Sequence, residues 1–451
     1  MTRRARSRRH ALTALAAATV ITVMTACADA PTAGPPHPRA PTASLAGSGP
    51  DELPAYEITD LPTFGGFFSV ALGVNDAGHV GGSSNTAAEI ARAFLWTGGP
   101  LTDLGSLGGN ILAIGPNNRD EMAALAELPQ ADPDNQDLCG YGTHRICVAA
   151  YWRHGEWAEL AKLPEPRGLN SVAVNLNDRG QVVGLAETAV RDPSCAEATP
   201  FQVHRFVPVV WGPKPNEIQV LPLPEGDEVG FSYGINDHEQ VVGSTGSCAT
   251  TSVMGSGLLA GPHAVLWEHN VAIPLDVPGS TNTISTAFSI NNRGEAVGVS
   301  GATALHAFLW TRRAGMQSLG AVEDDAGSVA NWINNRGQVV GMSCPETPVC
   351  KPGPDVPARA FLWQNGVMMD LNKLVVGDPK MYLLNALAMN DGGQIVGLGL
   401  TDDFELHAFL ATPVSSHAHG QVLPSRVASR PKALTLGTRP LRGRTPGLRQ
   451  R

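Results

Sequence analysis

The sequence predicts an all-β protein, a seven-bladed β-propeller of four-stranded antiparallel blades that an N-terminal strand closes by completing the last blade. Three observations lead to this prediction. A short turn motif recurs seven times, a second apolar segment follows each copy, and no long window has the apolar spacing of 3.6 residues that a helix requires. Residues 51–413 divided among seven copies give about 52 residues per unit, which is typical of propeller blades.

The turn motif is Asn, then Asn or Asp, a variable residue and Gly, followed by a short apolar run, as in "INNRGQVVG" at 333–341. Asn or Asp starts a type I turn, and Gly takes the left-handed position of a short hairpin loop between strands A and B of a unit. Asp120 and Glu239 replace Gly in two copies, and Glu239 is expected to cost about 1 kcal/mol there. A calcium site is the weaker interpretation, because "NNRG" contains no carboxylate. The copies begin at Gly73, Gly115, Asn175, Gly234, Ser289, Trp332 and Ala388.

Two further segments complete each unit. An apolar segment such as "HAFLW" at 306–310 is predicted as strand C, and an "xDL" element such as "MMDLN" at 368–372 as strand D. The tryptophan that ends strand C is interpreted as core rather than as part of a ligand-stacking ring. Histidine recurs at the start of strand C, but Arg92 and Arg359 replace it in other units, so a ring of metal ligands is not predicted.

The two ends of the repeat region complement each other. The seventh copy stops at "HAFLATP" (407–413) without a strand D, whereas an orphan element of this type, "YEITDL" (56–61), precedes the first strand A. We expect residues 56–61 to complete the last blade, which would leave no long strand edge open.

These repeats resemble the extracellular HAF repeat proteins of bacteria. The resemblance rests on "HAF" at 306–308 and 407–409, on "INNRGQVVG" and on "DLGSLGG" at 103–109, and it covers nearly all of residues 56–411. The second and third copies depart most, with "VAAYW" and "VPVVW" in strand C. The resemblance implies an exported, propeller-like protein from a family without an assigned activity, so it transfers no catalytic residue.

The chain ends are predicted to lie outside the propeller. Residues 1–26 form an export signal peptide, in which a charged segment precedes an apolar run and "SRRHAL" resembles the twin-arginine motif, so both export routes stay open. The signal ends in "MTAC", which resembles a lipobox with Cys27 as the lipidated residue; cleavage nearby without lipidation is the alternative. Residues 27–50 form a Pro/Ala/Thr/Gly-rich linker, and residues 414–451 a basic, disordered tail. We therefore expect a bacterial extracellular or cell-surface protein that contacts a membrane only through a lipid at Cys27.

The cysteine count agrees with export. Setting Cys27 aside leaves six cysteines, an even number, as expected where disulfides persist. Proximity in sequence favours two pairs and elimination leaves the third, although six cysteines allow fifteen pairings. The predicted disulfides are Cys139 with Cys147, Cys344 with Cys350, and Cys195 with Cys248.

Charge is concentrated in the repeat region. Residues 51–413 hold 18 basic and 40 acidic side chains, a net charge of about −22 that would repel nucleic acid. The loops between strands B and C are long, contain the six cysteines and share one face with several acidic clusters. We predict that this long-loop face binds a ligand, with calcium as the only cofactor to consider; solvated carboxylates are the alternative. The candidate ligand-binding residues are Asp132, Asp134, Asp137, Asp227, Glu228, Asp324, Asp325, Asp402 and Asp403.

Two functions are compatible with these features. The leading prediction is a monomeric, non-enzymatic module that binds a protein, a glycan or a cationic ligand. The alternative is an extracellular polysaccharide hydrolase or lyase that uses carboxylates such as Asp132 or Glu228 as acid and base. The sequence contains neither a nucleophile elbow nor the Asp-box of sialidases, so no catalytic residue is assigned.

Overall fold

A computed structural model describes residues 53–198, 202–214, 216–253, 259–276, 283–302, 304–345 and 358–414. The predicted signal peptide, the linker and the tail from residue 415 onward lie outside these residues, as do Cys27 and Cys350. The all-β class is confirmed, because the described part of the chain contains thirty β-strands and one short α-helix. Among the described residues no helix has the length and apolar character needed to cross a membrane.

Antiparallel groups of strands follow one another along the chain, and we number them as units 1 to 7; units 2 to 6 each contain a four-stranded sheet, whereas units 7 and 1 share one sheet. Strand β1 (Ala55–Leu61) precedes unit 1. Unit 1 contains β2 (Gly65–Val74), β3 (Val80–Thr86), β4 (Ala91–Trp96) and β5 (Thr102–Gly105). Unit 2 contains β6 (Ile111–Ile114), β7 (Met122–Ala131), β8 (Arg145–Arg153) and β9 (Glu156–Glu159). Unit 3 contains β10 (Arg167–Leu176), β11 (Val182–Arg191), the helix α1 (Pro193–Ala198), β12 (His204–Trp211) and β13 (Ile218–Val220).

The remaining units repeat this order of strands. Unit 4 contains β14 (Val229–Ile235), β15 (Val241–Gly246), a 3₁₀ turn (Cys248–Thr250), the small hairpin β16 (Ser252–Val253) and β17 (Leu259–Ala260), then β18 (His263–Glu268) and β19 (Val271–Pro274). Unit 5 contains β20 (Ile284–Ile290), β21 (Ala296–Gly301), β22 (His306–Thr311) and β23 (Gly315–Gly320). Unit 6 contains β24 (Gly327–Ile333), β25 (Val339–Cys344), β26 (Arg359–Gln364), β27 (Val367–Asp370) and a 3₁₀ turn (Leu371–Leu374). Unit 7 contains β28 (Met381–Met389), β29 (Ile395–Thr401) and β30 (Leu406–Val414).

Strand β1 pairs with β30, the third strand of unit 7. The antiparallel register runs from Ala55 opposite Val414 to Leu61 opposite Ala408. Tyr56 and Leu61 are buried in this position. Units 7 and 1 are also joined by a single parallel bridge between β30 and β2, so the two units form one eight-stranded sheet.

The predicted A–B hairpins are present in every unit. In unit 1 the N–H of Gly78 donates to the carbonyl oxygen of Asn75 at 2.9 Å, and Gly78 has φ +80°. The corresponding glycines of four other units have φ between +75° and +85°. Asp120 and Glu239 are left-handed as expected, with φ of +59° and +63°. Their side chains bond the preceding unit, Asp120 to His79 and Glu239 to Arg179, which offsets part of the backbone cost.

The glycine that ends each "QVVG" run permits close packing of strand B on strand A. A Cβ atom added to Gly341 would lie 2.0 Å from the carbonyl oxygen of Val329 in strand A. In five other units, a Cβ atom on the equivalent glycine would lie 1.8 to 2.1 Å from the corresponding strand-A carbonyl oxygen. A side chain at this position would push the two strands apart. The core interpretation of the strand-C tryptophans holds for Trp211, Trp267 and Trp310, which are buried, and the first two donate their indole N–H to a carbonyl oxygen. Trp96, Trp152 and Trp363 are half-buried and pack against core clusters.

Candidate functional site

The first asparagine of every A–B hairpin belongs to a closed cycle of hydrogen bonds, which we call the inner asparagine ring. In unit 1 the Asn75 Oδ1 atom accepts the N–H groups of Ala77 and His79, which holds the turn. The Nδ2 atom of Asn75 donates to the carbonyl oxygen of Asn117 in unit 2 at 3.0 Å. The same bond recurs between consecutive units at 2.8 to 3.1 Å, and the bond from Asn390 to the carbonyl oxygen of Asn75 completes the cycle. Its members are Asn75, Asn117, Asn177, Asn236, Asn291, Asn334 and Asn390, all buried.

The next residue of every hairpin forms a second cycle, which we call the mouth ring. Each backbone N–H donates to the side-chain Oδ1 atom of the equivalent residue in the next unit, at 2.8 to 3.2 Å. The bond from the N–H of Asp391 to Asp76 closes this cycle. Its members are Asp76, Asn118, Asp178, Asp237, Asn292, Asn335 and Asp391.

The mouth ring contains four carboxylates and three amides, which do not alternate strictly. The Nδ2 atom of Asn118 donates to the carboxylates of both Asp76 and Asp178, at 3.1 and 2.8 Å. Asp178 and Asp237 are consecutive members of the ring, as are Asp391 and Asp76. Within the described residues no Lys, Arg or His nitrogen lies within 4.0 Å of these four carboxylates. Three of the four arginines at the following position of the hairpins, Arg119, Arg179 and Arg293, pair with glutamates instead.

A cavity of about 150 Å³ lies where both rings and the ends of the A strands meet. Its lining combines apolar residues, among them Leu72, Ile114 and Ile235, with the asparagines and aspartates of both rings. The described lining contains no histidine, cysteine or lysine that would activate a nucleophile. The arrangement is therefore suited to accept hydrogen bonds from cationic N–H or hydroxyl groups, because the ring carboxylates keep free lone pairs in fixed positions.

The predicted acidic residues of unit 2 are engaged in structural bonds. Asp132 is buried, and its Oδ1 atom accepts the N–H groups of Asp134 and Gln136 at 2.8 and 3.2 Å. Its Oδ2 atom accepts the Asn170 Nδ2 group of unit 3 at 2.8 Å. This carboxylate therefore fixes the long loop and the contact between two units.

Asp134 and Asp137 also have partners within the loop region. Asp134 forms an ion pair with Arg191 and lies 3.4 Å from the Nε2 atom of His204. Asp137 accepts the N–H of Gly142 at 2.7 Å through Oδ2. The first contact neutralises a carboxylate that the sequence assigned to a ligand, and the second orders a turn.

In unit 4, Asp227 and Glu228 each contact a basic side chain. Asp227 contacts the Nδ1 atom of His263 at 3.0 Å and accepts the Thr245 hydroxyl at 2.5 Å. Glu228 forms an ion pair with Arg205 of unit 3 at 2.9 Å. These two carboxylates therefore belong to contacts within and between units.

The last two acidic clusters differ from each other. Asp325 is buried beside Arg359, whose NH2 atom lies 2.9 Å from it. Asp324, Asp402 and Asp403 are exposed. Four of the nine predicted carboxylates are thus exposed: Glu228 is paired with Arg205, whereas Asp324, Asp402 and Asp403 form no ion pair with the described residues.

Two of the predicted disulfides are present. Cys139 bonds Cys147, and Cys195 bonds Cys248, which connects α1 of unit 3 to the 3₁₀ turn of unit 4. Cys344 is also disulfide-bonded, and its predicted partner lies outside the described residues. The carboxylate of Asp192 lies near the sulfur atoms of Cys195 and Cys248, but disulfide sulfurs are not the thiolates that bind metal. The disulfides are typical of oxidising compartments.

The charged residue at the start of strand C pairs with the aspartate of strand D in three units. Arg92 contacts Asp103 at 3.2 Å and Arg359 contacts Asp370 at 3.4 Å. In unit 7 the Nδ1 atom of His407 contacts Asp60 of β1 at 2.9 Å. The sequence carried this signal, since His or Arg in "HAF" and Asp in "xDL" recur together, but the alternation pattern alone does not show that they meet.

No protein-family model matches the chain, and no curated protein sequence does so. Similar solved structures include a puromycin-hydrolyzing peptidase of Mycobacterium tuberculosis (12% identity, 77% of this chain and 61% of that chain, TM-score 0.32) and an acylaminoacyl peptidase of Pyrococcus horikoshii (13% identity, 71% and 48%, TM-score 0.39). A fucoside-bound lectin variant of Aleuria aurantia is a third (9% identity, 78% and 97%, TM-score 0.34). The chain thus spans less than two thirds of the length of either peptidase.

Proposed function

We propose that this chain is a non-enzymatic binding module of HAF type, built as a closed seven-bladed β-propeller, and that it binds a cationic group at the mouth ring. Seven-membered closure is supported by the two cycles of hydrogen bonds, each of which visits seven units and returns to its start. The pairing of β1 with β30 supports an N-terminal strand as the fourth strand of the last blade.

The observation that carries the binding proposal is the cavity whose lining includes four aspartates that have no ion-pair partner within the described chain. Backbone N–H groups fix each carboxylate, so a ligand meets a preorganised set of acceptors. Hydrogen bonds to charged groups contribute about 1.5–3 kcal/mol each. A primary ammonium or guanidinium group of a protein or an amino sugar matches this chemistry. The charge of about −22 on residues 51–413 would also attract such a ligand.

The proposal moves the site from the long-loop face to the mouth of the A–B hairpins. The competing site for a cationic partner or bridging calcium is the long-loop face, through the exposed residues Asp324, Asp402 and Asp403, and the mouth-ring proposal predicts that these residues do not bind the cationic probes. The two regions are separable by mutation, because Asn already occupies three positions of the mouth ring and is tolerated there.

The test is a binding titration with a tetralysine peptide and a chitosan tetramer, each compared with its acetylated, neutral form. The Asp178→Asn/Asp237→Asn variant is expected to bind the charged probes at least tenfold more weakly, whereas the Asp402→Asn/Asp403→Asn control binds like the wild type. Raising the salt concentration should weaken wild-type binding. Equal loss in both variants, or equal binding of acetylated probes, would refute a cation site at the mouth ring.

A specific contact favours the polysaccharide-cleaving alternative. The Asn170 Nδ2 group donates to Asp132 and to Glu187, at 2.8 and 3.0 Å, so two buried carboxylates lie close together. Burial raises the pKa of Glu187, and a general acid requires a raised pKa. Hydrogen bonds from Asn170 and Gln202 oppose this shift without cancelling it. A screen of cell-wall and plant glycans tests this function, and turnover that Glu187→Gln abolishes would replace the binding proposal.

Export and anchoring form the last part of the proposal. The Cys195–Cys248 and Cys139–Cys147 disulfides support an oxidising, extracellular location. Mass spectrometry of the mature N-terminus tests the lipid anchor: a diacylated Cys27 that is lost in the Cys27→Ser variant is expected, and an unmodified N-terminus would exclude the anchor.

A further inference from the structure

The junction of β1 and β30 contains a titratable group where units 1 and 6 hold a permanent cation. His407 occupies the strand-C position that Arg92 and Arg359 take in units 1 and 6. In those units strand D follows strand C along the chain, so a loop keeps the two strands together. In unit 7 the pairing strand is β1, which is more than 300 residues away in sequence, and only non-covalent contacts hold it.

The surroundings of His407 favour its protonated form. Its Nδ1 atom lies 2.9 Å from Asp60 on β1, and its Nε2 atom lies 3.4 Å from Glu405 in the turn before β30. The neighbouring strands β29 and β2 contain no charged residue. The other charged groups nearby in sequence on β1 and the turn are Glu57, Asp402 and Asp403, all acidic and exposed. The carbonyl oxygen of Lys380 accepts the N–H of Asp402 in this turn at 3.3 Å, but among the described residues only His407 forms an ion pair with Asp60.

We propose that His407 makes the attachment of β1 depend on pH, so that the ring closes firmly when His407 is protonated and loosens when it is neutral. The protonated imidazole donates to Asp60 through Nδ1 and holds its charge 3.4 Å from Glu405, whereas a neutral ring has one N–H at most and no charge. The inference rests on the pairing of β1 with β30 and not on any ligand of the mouth ring.

The direction of the effect follows from linkage. Burial alone would lower the pKa of His407, but the hydrogen bonds and charges of Asp60 and Glu405 outweigh it and raise this pKa above its ordinary value. Stability from a raised histidine pKa is fully present below the unfolded-state pKa of about 6.5 and is lost as the pH rises through the folded-state value. Attachment of β1 should therefore be strongest in mild acid and weaken through the neutral range.

Hydrogen–deuterium exchange of the full chain, read in the peptide that covers residues 55–61 and corrected for intrinsic exchange, tests the proposal between pH 5 and pH 8.5. Wild-type protection of this peptide should fall on the order of tenfold, the effect of losing one charge-assisted hydrogen bond. His407→Arg restores the permanent cation of units 1 and 6, so its protection should stay high and independent of pH. His407→Gln should be equally flat but low.

A wild-type profile without slope, or a His407→Arg profile parallel to the wild type, would overturn the proposal. Asp60→Asn serves as a second variant if His407→Arg does not fold; it should reduce the slope, and an unchanged slope would count against the proposal. Absence of protection in residues 55–61 at every pH would instead contradict the pairing of β1 with β30, which separates failure of closure from failure of the pH dependence.

Discussion

Replacing Asn291 in the inner asparagine ring separates the turn role of this residue from its ring role. The Asn291 Oδ1 atom accepts the N–H groups of Arg293 and Glu295, both at 3.0 Å, within its own hairpin. The Nδ2 atom donates to the carbonyl oxygen of Asn334 in unit 6 at 3.0 Å and to the carboxylate of Glu295 at 2.8 Å. Aspartate keeps an oxygen that accepts both turn bonds but lacks the Nδ2 group that donates the other two. Asn291→Asp therefore breaks the ring while leaving the turn intact.

The expected loss can be estimated from these contacts. Asn291 is buried, so the carbonyl oxygen of Asn334 loses its donor, and a new carboxylate faces Glu295. An unsatisfied buried polar group costs about 1–3 kcal/mol, and like-charge repulsion adds to this. We expect Asn291→Asp to lower the free energy of unfolding by about 2–4 kcal/mol at pH 7.

Urea unfolding measures this loss, and the neighbouring residue provides the control. Asn292→Asp makes the same chemical change in the mouth ring, where it removes the part-buried Nδ2 bond to Asp237 at 2.9 Å. Because four other units already have aspartate at this position, we expect a smaller loss, about 0.5–1.5 kcal/mol. If Asn291→Asp is as stable as Asn292→Asp, the asparagine serves only the turn and the ring contributes nothing to stability.

Three further outcomes are expected. Gly341→Ala should destabilise the protein by about 1–3 kcal/mol in thermal or urea unfolding, because the new Cβ would lie 2.0 Å from the Val329 carbonyl oxygen; an unchanged stability would contradict the close packing of strands A and B. Cys248→Ser should lower the free energy of unfolding by about 2–5 kcal/mol in the same assay, and by more than Cys139→Ser. The Cys195–Cys248 bond joins residues 53 positions apart, whereas the Cys139–Cys147 bond joins residues 8 positions apart. The reverse order of stability losses would refute this loop-length reasoning. Arg359→Met should cost about 3–5 kcal/mol, because Asp325 and Asp370 stay buried without their cation, and a loss below about 1 kcal/mol would show that these carboxylates are solvated.

The sequence predicts the local features of this fold well. The A–B hairpins, the left-handed residues from Gly78 to Gly393 and the pairing of 56–61 with the last unit follow from turn chemistry and from the repeat pattern. Turn geometry involves residues within four positions of each other, and such relations are visible in a motif.

The site depends on relations that a motif does not contain. The bond from Asn390 to Asn75 joins residues 315 positions apart. The turn interpretation of "NNRG" accounts for the acceptor role of the asparagine Oδ1 atom, but it does not predict that Nδ2 donates to the next unit. The sequence predicted Asp132 and Asp134 as ligand-binding carboxylates. Their partners Asn170 and Arg191 lie in the next unit, far away in sequence, so the motif does not show that these carboxylates are already engaged. Side chains of adjacent units therefore determine which carboxylates are free to bind a ligand, and the repeat pattern does not reveal those side chains.

Closure of the ring by β1 is tested most directly by engineered disulfides. Glu57 lies opposite Thr412 in the register of β1 and β30, where opposite residues of antiparallel strands have Cα atoms about 4.5–5.5 Å apart. The Glu57→Cys/Thr412→Cys variant should oxidise to a disulfide that peptide mapping identifies, whereas Thr59→Cys/Thr412→Cys, a diagonal pair about 7–8 Å apart, should not. Equal cross-linking of both pairs, or of neither, would contradict a propeller closed by its N-terminal strand.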